Sequence, residues 1–261
     1  MPAVTSGKVL VTGANGFVGI WVAKAYLEHG FSVRGTVRSE SKAKHLRQVF
    51  QSYDDKFEIA IVDDIAKVRS RPLVFVFPPA ITYASAQDGA FDEAVKGVDV
   101  IAHTASPFHT HGEDPNEYIA PAVQGTLSVL NSTLKYGMSV KRVVVTATVG
   151  TIINIGPGPR VFSEKDWNEH SIREVNEKGS AAHPLDKYGA SKTLAERAAW
   201  DFHSQHKNEV AWDVTTIHPP FVFGPVLHEV DKPENLNESS KAWWDIIVAG
   251  QLTGEALAQE G

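Results

Sequence analysis

The chain enters its first strand-like run at Lys8-Val-Leu-Val-Thr12 and passes straight into Gly13-Ala14-Asn15-Gly16-Phe17-Val18-Gly19, followed by a helical pattern. Glycines at a strand-to-helix turn allow a tight bend and let the backbone come close to a pyrophosphate, whose charge then rests on the helix N-terminus. Strand, turn and helix in this order predict the opening βαβ unit of a parallel sheet with a dinucleotide phosphate site. The spacing is G-x-x-G-x-x-G rather than G-x-G-x-x-G.

The rest of the chain keeps the alternation going. Short β-branched runs at 8–12, 32–37, 58–62, 98–103, 142–146 and 213–218 alternate with helical patterns at about 17–29, 41–51, 117–136 and 185–206. The strands are apolar on both faces, as in a parallel sheet covered by helices on both sides. The expected fold is therefore α/β, a Rossmann-type doubly wound parallel sheet. Lys plus Arg number 25 against 31 Asp plus Glu, with no basic block, which argues against a nucleic-acid partner. The chain has no cysteine, so disulfides, thiolate zinc sites and a cysteine nucleophile are excluded. The uncharged stretch at residues 72–87 is too short and too rich in proline to span a bilayer. The first residues lack the charged and apolar regions of a signal peptide, and a cytoplasmic location is expected.

The end of the second strand reports on the cofactor ribose. An acid there accepts the 2′-hydroxyl of NAD, whereas an arginine accommodates the 2′-phosphate of NADP. Arg38 holds that point, Lys42 follows four residues later, and Arg34 is read as a third cation nearby. NADP(H) is favoured, with Glu40 the one neighbouring acid able to reverse the preference.

Tyr188 and Lys192 open the last long helix four residues apart, and so on one face. A free phenol titrates near pH 10, and an adjacent ammonium lowers that value, tuning a general acid. Thr148, just past the fifth strand, emerges where ligands bind in open α/β sheets and offers a hydroxyl to a substrate oxygen.

With these residues the sequence resembles the extended short-chain dehydrogenase/reductase superfamily, whose signatures are T-G-x-x-G-x-x-G and Y-x-x-x-K. More closely it resembles the dihydroflavonol-reductase-like branch of NADPH-dependent aldehyde, ketone and methylglyoxal reductases. The resemblance implies cofactor contacts from Gly13, Asn15, Gly16, Phe17, Val18 and Gly19, then from Arg38 and Lys42. It places Asp64 and Ile65 at the adenine, Thr104, Ala105 and Ser106 along the cofactor, and Pro219 and Val222 beside the nicotinamide. It makes Thr148, Tyr188 and Lys192 catalytic, with threonine in place of the usual serine, and it puts His218 where asparagine is often found. The implied reaction is hydride transfer to a small carbonyl substrate, protonated by Tyr188, with no metal. His103, His109, His111 and His218 show no ligand spacing and are read as loop or core histidines.

Two departures shape the expected domains. Residues 68–88 interrupt an ordinary connection with an anomalous insertion, read as a translated intron or an erroneous gene model. Residues 1–225 are expected to form the binding domain and 226–261 the start of a truncated, incomplete substrate lobe. A sugar-nucleotide epimerase or dehydratase and a catalytically impaired NADP-binding fragment are the rival readings; the oligomeric state is not encoded.

Overall fold

In a computed structural model the structure describes residues 3–65, 89–106, 113–153 and 159–248. Six strands form one parallel sheet in the order β3-β2-β1-β4-β5-β6. They are β1 (Lys8–Thr12), β2 (Ser32–Val37), β3 (Phe57–Ile61), β4 (Val100–His103), β5 (Arg142–Thr146) and β6 (Asp213–Ile217). The helices are α1 (Phe17–Glu28), α2 (Glu40–Val49), α3 (Asn116–Tyr136), α4 (Glu169–Lys178), α5 (Pro184–His206) and α6 (Glu238–Trp243). The chain winds outward from β1 to β3, then returns to lay β4 against the other side of β1, with Leu10 beside Ile101 and Thr12 beside His103. This reversal between β1 and β4 opens a crevice beyond their carboxyl ends, where open α/β sheets bind ligands.

The alternation of side chains along each strand divides the core into two layers. Leu10, Ile101, Val143, Val145 and Val214 pack under α3 and α5. Val9, Val11, Val33, Val100 and Ala102 pack under α1 and α2. Fully burying a valine, leucine or isoleucine side chain contributes about 1.5–3 kcal/mol relative to exposure. Small residues let α5 come close to its neighbours: a Cβ on Gly189 would lie 2.8 Å from Ser171 Oγ. On α3, a Cβ on Gly125 would lie 3.1 Å from Ile65 Cδ1.

All six expected strands are found, with ends displaced by at most two residues, and the fold is the doubly wound sheet that the alternation implied. The helix α4 was not anticipated. Its apolar content reduces to Ile172 and Val175, which face the core, and the rest of its length is polar. The insertion at 68–88 lies outside the described residues, as do His109 and His111. Among the described residues no helix is long and apolar enough to cross a membrane.

Candidate active site

The glycine turn is built as tightly as its sequence suggests. Gly13 sits at φ +65°, a backbone region that disfavours side chains, and a Cβ there would come within 3.0 Å of the Ala105 backbone. A Cβ on Gly19 would lie 2.3 Å from the carbonyl oxygen of Gly13. Gly13 N–H donates to Thr36 Oγ1 at 3.1 Å and Ala14 N–H to Thr36 O at 3.0 Å, which moors the turn to β2. The Thr12 hydroxyl oxygen accepts from the N–H groups of Thr104 and Ala105, at 3.1 and 3.0 Å, so the segment after β4 is moored as well. Ser106 follows, half-buried. Gly16 stands at the N-cap of α1 without any side-chain cap. Phe17 meets the ring of His228 edge-on at 5.5 Å, and Val18 shares an apolar groove with Val222. Asn15 is half-buried beside them.

At the end of β2, Arg38 is exposed and has no ion-pair partner among the described residues. Lys42 faces Glu229 at 3.6 Å. Glu40, the acid that would have opposed a phosphate, is engaged by Arg47. Arg34 departs from expectation. It lies nearer the start of β2, paired with Glu58 at 2.7 Å and donating to the carbonyls of Ala94 and Lys96, so it is spent on tying strands together. Asp64 is exposed after β3, while the side chain of Ile65 is buried in the core against α3.

Tyr188 and Lys192 lie on the first turns of α5, a helix that starts with His183 accepting from Leu185 N–H at 3.2 Å and with Pro184. The Thr148 hydroxyl sits near enough to the Tyr188 phenol to favour its ionised form. Thr148 also accepts from Gly150 N–H at 3.2 Å and donates weakly to the carbonyl of Pro219 at 3.4 Å. The three residues expected to act together thus share one end of the sheet, with Pro219 beside them. Their electrostatics differ from the reading of the sequence. Burial holds the Tyr188 phenol above its ordinary value, partly offset by Thr148. The Lys192 ammonium donates to the carbonyl of Thr146 at 3.0 Å, and burial pushes it down to about 8, with Glu196 opposing.

The sequence reading passed over Glu196, which is 4% exposed. It accepts from Thr151 Oγ1 at 2.7 Å and pairs with His218 Nε2 at 2.8 Å. Its signal was available, since it stands one turn beyond Lys192 and two beyond Tyr188. His103 is a core histidine, bonded to Thr12 Oγ1 at 2.9 Å and pushed down to about 3 by burial, with the Lys192 charge adding to the effect. A cavity of about 10 Å³ lies between His103, Thr126, Thr146, Lys192 and Glu196, room for about one water. Elsewhere, His170, Glu174 and Asp186 have ligand atoms within 4.8 Å of one another. Lys178 already holds Glu174, and Ser171 Oγ donates to Asp186 at 2.9 Å.

Residues 9–241 match the profile of the NAD dependent epimerase/dehydratase family. The chain belongs to that family. Within it, the chain is 35% identical over 254 residues to the ketoreductase azaE of Aspergillus niger, covering 95% of this chain and 67% of that protein. It is 33% identical over 252 residues to aldehyde reductase 2 of Sporidiobolus salmonicolor, covering 94% and 65%. Among solved structures it is similar to the yeast methylglyoxal/isovaleraldehyde reductase Gre2 complexed with NADPH. There the TM-score is 0.72 at 29% identity, over 90% of this chain and 64% of that one. This family member therefore spans about two thirds of the length of the relatives it matches.

Proposed function

We propose that the chain is an NADPH-dependent carbonyl reductase that converts a small aldehyde or ketone to an alcohol. The observation that carries this reading is that the Thr148 hydroxyl, the Tyr188 phenol and Lys192, one helical turn beyond it, meet at the carboxyl end of β5, where Lys192 Nζ donates to the Thr146 carbonyl at 3.0 Å. The names of the ketoreductase, the aldehyde reductase and the NADPH-bound Gre2 support the same substrate class and cofactor.

The residues fit the cofactor, because glycine at 13 and 19 permits the close-packed turn that leads β1 straight into the N-terminus of α1, where a pyrophosphate would sit. Gly13, Asn15, Gly16, Phe17, Val18 and Gly19 would hold its pyrophosphate, with Arg38 and Lys42 at the 2′-phosphate. Asp64 and Ile65 would flank the adenine, Ile65 through its backbone because its side chain is buried in the core. Thr104, Ala105, Ser106, Pro219 and Val222 would line the nicotinamide half. Bound NADPH would supply a hydride to the carbonyl carbon. The phenol of Tyr188, kept protonated by the burial that raises its pKa, gives its proton to the substrate oxygen. Thr148 donates a hydrogen bond to that same oxygen, and Lys192 binds the nicotinamide ribose through its ammonium.

In this reading residues 1–225 form the binding domain, residues 226–261 begin the substrate lobe, and the setting is the cytoplasm. The test is fluorescence titration with NADPH and with NADH, followed by absorbance loss on adding aldehydes, diketones and keto esters. NADPH-selective binding with turnover is expected. Binding without turnover would leave a cofactor-binding fragment, and absence of binding would overturn the reading.

A further inference from the structure

A buried carboxylate is costly unless it is paired and hydrogen-bonded, and nothing in the roles of Thr148, Tyr188 and Lys192 calls for one. Glu196 is nevertheless buried on their helix face. It is tied on three sides: to Thr151 in the turn after β5, to His218 just past β6, and to Trp200 Nε1 on α5 at 3.5 Å. His218 precedes Pro219, whose carbonyl accepts from Val149 N–H at 3.1 Å. Glu196 therefore joins the helix carrying Tyr188 and Lys192 to both loops that frame Thr148.

We propose that Glu196, anchored by Thr151 and His218, is a positioning residue whose fixed negative charge holds Lys192 as an ammonium at the carboxyl end of β5. The proposal rests on the reading of Lys192 given above. The surroundings of Lys192 bear it out. Its own helix contributes Tyr188 and Glu196, β4 contributes His103, α3 contributes the uncharged Thr126, and β5 contributes the Thr146 carbonyl. His218 touches the set through Glu196. His103, held down to about 3, is neutral at working pH, and the Tyr188 phenol is held protonated, which leaves Glu196 to oppose the burial that lowers Lys192 to about 8.

The test is a 13C NMR titration of the whole chain labelled at lysine Cε, without cofactor or substrate, with the Lys192 signal assigned by its loss in Lys192→Met. Glu196→Gln keeps the shape and removes the charge, and should lower the Lys192 midpoint by about one pH unit. Thr151→Val loosens the same anchor and keeps the charge, and should leave the midpoint within about 0.3 unit, well below the shift expected of a nearby charge. An unmoved midpoint in Glu196→Gln, or an equal shift in both variants, would make Glu196 a structural tie and overturn the proposal. If Glu196→Gln does not fold, Glu196→Asp keeps the charge and should hold the midpoint near that of the parent; a fall of a full unit would overturn the proposal. The titration needs no turnover, so its outcome is separate from the carbonyl reductase assay.

Discussion

Lys192 Nζ donates to the carbonyl oxygen of Thr146 at 3.0 Å, so the buried ammonium is tied to the last residue of β5. That position costs stability in a way that pH exposes. The folded-state value near 8 lies below the unfolded one of about 10.4, so the unfolded chain binds more protons between them. Stability therefore rises with pH through that window, and the cost of the buried charge is fully present below about 8. Lys192→Met should gain stability relative to the parent at pH 7, and the difference should shrink by pH 10. Urea unfolding of both proteins at the two pH values checks it. A difference that does not change with pH would mean that Lys192 titrates as an ordinary lysine.

Tyr188→Phe removes the phenolic proton and keeps the ring that packs at the start of α5. Turnover of a small aldehyde should fall by about 10²–10⁴-fold, the usual contribution of a general acid. The NADPH dissociation constant should stay within about twofold, because the loss is confined to an interaction made with the reacting oxygen. A fall in cofactor affinity equal to the fall in rate would move Tyr188 from chemistry to binding.

The architecture was legible because each strand announced itself locally. β5, Arg142–Thr146, and β4, Val100–His103, are β-branched or apolar runs between helical patterns, and their order forces parallel crossovers. Contacts that depend on the third dimension were not legible. Arg34 and Arg38 are equally cationic and four residues apart, yet Arg34 meets Glu58 across the sheet and Arg38 projects from the strand end. The hydrogen bond between Glu196 and His218 joins residues 22 apart whose meeting is set by where β6 ends against α5. Helix α4 left a fainter trace, the cap of Asn168 on Ser171 N–H at 2.9 Å and the turn at Gly179, φ +54°. Ile172 and Val175 alone do not make a convincing apolar stripe.

Arg38→Ala tests the cofactor preference. The exposed guanidinium has no ion-pair partner among the described residues, so its removal breaks no fold contact of that kind. A charge-assisted hydrogen bond contributes about 1.5–3 kcal/mol, so NADPH affinity should drop roughly 10–100-fold. NADH affinity should be nearly unchanged. Isothermal titration with both nucleotides decides the matter, and an equal loss for the two would assign Arg38 to something other than the 2′-phosphate.

Gly19→Ala separates the fit of the glycine turn from helix propensity. Gly19 is the third residue of α1, where alanine by itself favours the helix by about 1 kcal/mol. The added Cβ would stand 2.3 Å from the Gly13 carbonyl oxygen and 2.9 Å from Thr104 Oγ1, and a backbone carbonyl moored between β1 and β2 cannot swing aside as a flexible side chain can. Overpacking of this kind costs about 1–3 kcal/mol, so the clash should win and the urea midpoint should fall. NADPH binding should fall with it, since the shift would displace the N–H groups that meet the pyrophosphate. Gly224→Ala is the control, because a Cβ there meets nothing within 4 Å. Its stability should stay within about 1 kcal/mol of the parent. A Gly19→Ala protein as stable as that control, with NADPH affinity intact, would show that the turn has slack that its geometry does not reveal.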